Sequence, residues 1–234
     1  NMLPPVPTAR VNVDKITVEE AIELLAGEGI EAKRGDLSED AIQIERGNVA
    51  HTDAFKKGFL SIQDESSMLV ARALEPNEGD EVLDSCAAPG GKTTHIAERL
   101  KGTGQVMSLD LHAHKVRLIK QQAERLGLEN VETKALDARK VQEHFANETF
   151  DKILVDAPCS GFGVIRRKPD IKLGKNKGDS ERLSTIQLAI LEKIAPLLKQ
   201  GGRLVYSTCT IEKIENEQVI KQFLQEHPEF EWDT

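Results

Sequence analysis

Glu81-Val82-Leu83-Asp84-Ser85-Cys86-Ala87-Ala88-Pro89-Gly90-Gly91-Lys92-Thr93-Thr94 is the stretch on which the fold turns. Its apolar opening reads as a buried strand over 81–85, and a helix is predicted over 91–101. The small residues between them let backbone approach a ligand closely, and the helix start offers unpaired N–H groups. Downstream the same strand, loop, helix unit repeats. Strands are predicted at 105–109, 130–134, 151–155 and 203–207, and helices at 113–126, 138–146, 180–199 and 215–226. Such alternation predicts an α/β fold, a parallel sheet with helices on both faces.

Upstream, residues 1–65 read as a small α+β lobe ahead of a larger domain over 66–234. Thr17-Val18-Glu19-Glu20 is a capping box, Gly27 and Gly29 end its helix, and 41–45 and 58–62 read as strands. A connecting helix over 66–74 leads into a turn-rich linker at 75–79. Of the 234 residues, 39% are hydrophobic and 30% charged, as in a globular protein in water. No apolar run approaches the roughly 20 residues of a bilayer span, and no secretory signal opens the chain. Three cysteines without Cys-x-x-Cys spacing argue against a disulfide framework or structural zinc and for the reducing cytoplasm. No metal is expected, and a monomer is. The net charge of −8 excludes a chain that is nothing but a nucleic-acid-binding surface.

Gly91-Lys92-Thr93 is reminiscent of a triphosphate-binding loop, but that motif needs glycine where Cys86 stands. The dinucleotide pattern G-x-G-x-x-G is also absent. A tight loop for a nucleoside-like ligand remains. Asp110 ends the second strand, where an acid accepts from ribose hydroxyls, and Asp137 follows the third strand, placed for the adenine end. The competing reading makes both acids helix N-caps.

All three cysteines sit just past a predicted strand: Cys86 after the first, Cys159 in Asp156-Ala157-Pro158-Cys159, and Cys209 in Ser207-Thr208-Cys209. That edge of an open α/β sheet places reactive groups, and a thiolate is a strong nucleophile. A cysteine is more often a small buried hydrophobe. If the last two strands are neighbours, Cys159 and Cys209 face one crevice; periodicity does not say which attacks. The long break from 161 to 178 carries Arg166, Arg167, Lys168, Lys172, Lys175 and Lys177 in an otherwise acidic chain, which suits a polyanionic substrate.

The motifs at 84–92, 156–161 and 207–210 together resemble those of the RNA cytosine-5 methyltransferases. Gln63-Asp64-Glu65-Ser66-Ser67, residues 166–172 and Glu215-Asn216-Glu217 extend the resemblance, which runs from about Arg10 to the end. It implies a Rossmann-like methyltransferase sheet, S-adenosylmethionine as cofactor and small-subunit ribosomal RNA as partner. By the same resemblance Cys86, Ala87, Ala88, Pro89, Gly90, Gly91, Lys92, Asp110, Asp137 and Asp156 contact the cofactor. Cys209 is then the attacking thiol, Cys159 helps release the product, and the first lobe is RNA-binding-like. The family's full-length type carries a helical domain ahead of this region and a further hairpin in its sheet, so this chain is expected to be part of a longer protein.

The implied reaction is methylation of cytosine C5 in 16S ribosomal RNA through a covalent Cys209–C6 adduct. Asp156 would serve N3, with its pKa raised if it is buried beside the base. The target base must be unstacked. Alternatives are tRNA or another RNA as substrate, or a non-catalytic cofactor-binding domain that docks on RNA. DNA cytosine-5 methylation would make Cys159 the nucleophile. Amino-group methylation is disfavoured by Cys159 where an aromatic is usual, and nicotinamide chemistry by the missing glycine pattern.

Overall fold

The computed structural model describes residues 6–159 and 177–233. The first lobe is an antiparallel sheet of β1 (Thr8–Val11), β2 (Glu31–Arg34), β3 (Ala41–Arg46) and β4 (Leu60–Ile62). Its order is β2-β3-β1-β4. Helix α1 (Val18–Gly27) starts where Thr17 Oγ1 accepts the Glu20 N–H at 3.1 Å. It buries Val18, Ala21 and Leu25 against Ala9, Val11, Ile42 and Ile44 of β1 and β3. A one-turn helix α2 (Asp53–Lys56) precedes β4. Two of these strands carry no clear signal in the sequence. β1 follows a proline-rich start, and β2, Glu-Ala-Lys-Arg, is an edge strand with little apolar surface to bury.

Helix α3 (Glu65–Leu74) leads into the second sheet, made of β5 (Glu81–Asp84), β6 (Gln105–Asp110), β7 (Val131–Ala135), β8 (Phe150–Asp156) and β9 (Leu198–Ser207). Its order is β7-β6-β5-β8-β9 and every pairing is parallel, so the expected α/β architecture is the observed one. The connections carry α4 (Gly91–Arg99), α5 (Ala113–Arg125) and α6 (Lys177–Ile194), and α7 (Glu217–Glu226) follows β9. Successive strand residues serve opposite faces. Leu83, Ile153 and Val155 pack on α6 and α7 through Ile190, Leu191, Ile194, Val219 and Phe223. Val82 and Leu154 pack on the other side, on Ala71, Leu74, Ile96, Ala97 and Leu100. A strand covered on both faces needs a continuous apolar run, which Ile153-Leu154-Val155 supplies.

Two predicted helices are corrected. The one expected over 138–146 is a 3-10 segment, Ala138–Glu143. The one expected over 180–199 ends at Ile194, followed by a 3-10 turn, Ala195–Leu197, that contains Pro196. Proline has no N–H to continue the helix, and its ring clashes with the preceding turn. The chain then enters β9 at Leu198, five residues earlier than expected. Gly161, Arg166, Arg167, Lys168, Lys172 and Lys175 lie outside the described residues, and Lys177 opens α6. Among the described residues no helix is long and apolar enough to cross a membrane.

Candidate active site

The strand order reverses direction at β5, which has β6 on one side and β8 on the other. Ligands of open α/β sheets bind outside the carboxyl ends of the strands at such a point. The loops leaving β5, β8 and β9 therefore meet at one crevice.

The β5 loop is pinned to its neighbours. Ser85 N–H donates to the Leu154 carbonyl and Ala87 N–H to the Leu109 carbonyl at 2.7 Å. Ala88 N–H points at Asp110 Oδ2 at 3.3 Å. Gly90 has φ 110° where the loop turns into α4, and a Cβ there would meet Ile119 Cα at 3.1 Å. Asp84 is buried beneath the loop, bonded by Thr93 Oγ1 at 2.6 Å, and burial raises its carboxyl to about 7. Burial pushes the Cys86 thiol up to about 12. Asp110 Oδ1 also accepts the His112 N–H at 3.2 Å. Asp137 does cap a helical segment: it accepts the Arg139 N–H and also binds that guanidinium, which holds the carboxylate below its ordinary range.

This half of the crevice fits a nucleoside better than a polyphosphate. It presents the carboxylates of Asp110 and Asp137, and among the described residues the Lys92 ammonium there is bound to Asp156 at 2.8 Å. Carboxylates accept from hydroxyls and amines and repel phosphates.

The other half belongs to β8 and β9, adjacent and in register with Asp156 opposite Ser207. Asp156 Oδ1 accepts from Ser207 Oγ at 2.8 Å, while Oδ2 takes the Lys92 ammonium. Its side chain is 27% exposed and ion-paired. Cys159 and Cys209 are brought together, their sulfurs 2.8 Å apart, and the Cys209 N–H points at Cys159 Sγ at 3.3 Å. The Cys209 thiol is pushed well above the ordinary range by the neighbouring Cys159 and by partial burial. Cys209 is nonetheless exposed at the crevice and not turned into the apolar interior.

Sequence reasoning gave no role to the residues that hold these loops, although Glu215 and Asn216 stand in a stretch that carries the resemblance. Asn216 Nδ2 donates to the carbonyls of Thr210 and Glu212, each at 3.0 Å, and Asn216 Oδ1 accepts from Thr208 Oγ1. Gln187, fully buried on α6, donates to the Pro158 carbonyl at 2.8 Å and to Glu215 Oε1 at 3.2 Å. The available signal was a glutamine on the same helical stripe as Leu191 and Ile194. Arg10, buried at 0% exposure in β1, was also missed. It joins the first lobe to the cofactor loop, binding Glu98 through Nε at 2.9 Å and Nη2 at 3.0 Å, the Gly91 carbonyl at 2.8 Å and Gln63 Oε1 at 2.6 Å.

The parallel sheet with its glycine loop and acid-lined crevice is the S-adenosylmethionine-dependent methyltransferase fold, and S-adenosylmethionine is the cofactor of this class. Residues 71–234 match the family described as 16S rRNA methyltransferase RsmB/F, and residues 1–50 match an RsmF/B-like ferredoxin-like domain. The chain belongs to the RsmB/F family. It is 59% identical over 233 residues to the probable ribosomal RNA small subunit methyltransferase B of Bacillus subtilis (strain 168), covering 100% of this chain and 52% of that protein. The crystal structure of PH0851 aligns with a TM-score of 0.94 at 37% identity, over 99% of this chain and 52% of that one. NSun6 from Pyrococcus horikoshii, solved with SFG, aligns at 0.87 and 26% identity, over 95% and 81%. The chain spans about half the length of the curated relatives it matches.

Proposed function

We propose that this chain methylates C5 of a cytosine in small-subunit ribosomal RNA through a covalent bond between Cys209 and C6. One observation carries the reading: two thiols in contact at the same strand edge as a carboxylate–ammonium pair, Asp156 and Lys92. Cytosine C5 is too poor a nucleophile to be methylated directly, and addition of sulfur to C6 makes it enamine-like. The relatives named for 16S ribosomal RNA support the substrate class.

Each residue then has a task. The cofactor is held by the loop 86–91 with Asp110 and Asp137, and when bound it supplies an electrophilic methyl group that C5 takes up. Cys209, exposed at the crevice, gives its proton to solvent as its own sulfur bonds to C6. The negative charge that moves into the ring is met by a proton delivered to N3 from the Asp156–Lys92 pair. Cys159 loses its own proton to solvent, to be regained at the end of the cycle, and takes the proton from C5. The C6–S bond breaks, N3 returns its proton, and Cys209 leaves as a thiolate that recovers a proton from Cys159. One proton is released per methyl group transferred, as the stoichiometry requires.

A second reading has one observation in its favour. The Cys209 N–H aimed at Cys159 Sγ stabilises charge on Cys159, which suits Cys159 as the nucleophile. Denaturing gels with labelled 16S ribosomal RNA separate the two. Under the proposal Cys209→Ala forms no adduct and transfers no methyl group, whereas Cys159→Ala accumulates adduct. Adduct in Cys209→Ala but none in Cys159→Ala refutes it and installs the second reading.

A further inference from the structure

We infer that Gln187 is a positioning residue that sets the approach of Cys159 to Cys209 and so governs release of the product. This rests on the two-thiol reading above. The ladder between β8 and β9 ends at Asp156 and Ser207, with one further bond from the Ala157 N–H to the Ser207 carbonyl. Both cysteines lie beyond it, so backbone pairing does not fix the distance between their sulfurs.

Side chains do this instead. On the Cys209 side, Asn216 holds Thr208, Thr210 and Glu212, and the Tyr206 hydroxyl donates to the Glu215 carbonyl. The segment 215–216 is thereby rigidly attached to the loop that carries Cys209. Gln187 ties this assembly to the other loop, with its amide bridging the Glu215 carboxylate and the carbonyl immediately before Cys159. Gln187 and Glu215 both have 0% exposure, so water does not reach the bond between them. Gln187 Oε1 is buried without a donor among the described residues. A buried amide with one unmet acceptor is a costly occupant of an apolar helix face, where leucine would pack without penalty. Its retention there is explained by the two bonds that its NH2 group makes.

The consequence is selective. Attack by Cys209 needs only that loop, which Asn216 and Tyr206 hold without Gln187. Removal of the C5 proton needs Cys159 in place as well. Displacements of about 1 Å at a reacting group cost up to about a hundredfold in rate. Loss of the Gln187 bridge should therefore slow release and leave adduct formation largely intact.

The test uses Gln187→Met, which keeps length and loses both N–H donors, and Gln187→Asn, which keeps the amide one methylene short. Each is incubated with unmodified 16S ribosomal RNA and labelled S-adenosylmethionine beside wild type, Cys159→Ala and Cys209→Ala. Expected for Gln187→Met are adduct formation within about twofold of wild type, turnover reduced about tenfold or more, and accumulated adduct. Cofactor affinity should be unchanged. Equal slowing of formation and release, or no effect on either, in the variant that retains cofactor binding overturns the assignment. If Gln187→Met does not fold, Gln187→Asn decides by the same criteria. Failure of Cys159→Ala to accumulate adduct indicts the two-thiol reading; accumulation there without accumulation in the Gln187 variants indicts Gln187 alone.

Discussion

Replacing Arg10 by methionine should destabilise the protein by about 3–5 kcal/mol, the usual cost of leaving one partner of a buried ion pair alone. Arg10 has 0% exposure and the Glu98 side chain 2%, so water reaches neither. The guanidinium binds both Glu98 oxygens and also satisfies Gln63, Gly91 and Thr94. Burial pushes the Glu98 carboxyl up while Arg10 pulls it down. The upward push already prevails with Arg10 in place, and without Arg10 it is larger, so Glu98 takes up a proton more readily on folding. A carboxyl whose folded pKa is raised stabilises most below its unfolded value and loses that contribution as pH rises. The deficit of Arg10→Met should therefore be larger at pH 8 than at pH 5. The double variant Arg10→Met/Glu98→Leu removes both charges and fills the space with apolar atoms, so it should return to within about 2 kcal/mol of wild type or exceed it. Urea unfolding of the four proteins at both pH values gives the cycle. If the two single losses simply add in the double variant, or if Arg10→Met costs under about 1 kcal/mol, the joint between the lobes is not the coupled pair described.

Three other outcomes follow from the geometry. His95 is 1% exposed and donates Nε2–H to Asp40, while Nδ1 has no partner among the described residues; burial lowers its pKa to about 4. Its folded pKa lies below the unfolded 6.5, so its contribution is complete above pH 6.5 and is lost as pH falls toward 4. About 3 kcal/mol is at stake, and His95→Asn should flatten the fall between pH 7 and 5, read from urea midpoints. Gly90→Ala forces a side chain into φ 110° against Ile119, which should cost about 1–2 kcal/mol and weaken S-adenosylmethionine binding in calorimetry. Thr17→Ala removes the α1 cap and should cost about 1 kcal/mol while cofactor affinity stays unchanged.

The sequence carried the large sheet almost completely, because β5, β8 and β9 each hold a short apolar run and each long helix has a periodic face, while β7, Val-Glu-Thr-Lys-Ala, is placed by the alternation of strand and helix. It carried the first lobe poorly. β1 includes a fully buried arginine, which in a sequence argues against a central strand; only the distant Glu98 makes that burial tolerable. The chemistry-bearing residues were legible one by one, since Cys159, Cys209 and Asp156 stand at strand ends. Their pairing was not. Lys92 sits on a glycine loop and reads as a cofactor contact, yet its partner is Asp156, 64 positions away. Gln187 and Glu215 gave no chemical signal, because a polar residue in an apolar stripe shows its purpose only when its partner is seen.

The contact between the two thiols also bears on self-protection. A thiolate is the strongest nucleophile a protein side chain offers, and on the proposed assignment Cys209 shares a crevice with a methyl sulfonium. If it were ionised at rest, it would be a target for that methyl group before any RNA arrived. The structure holds it in the opposite state: Cys159 beside it and partial burial keep the proton on Cys209. Either sulfur can donate in that contact, and the Cys209 N–H points at Cys159 Sγ. Loss of that proton gains most when C6 of a base stands ready to bond and the Asp156–Lys92 pair is placed to receive the ring's charge. The second cysteine thus serves the resting state as well as the end of the reaction, first favouring the protonated nucleophile and later removing the C5 proton, and this dual use accounts for two thiols in contact where one nucleophile would suffice for attack.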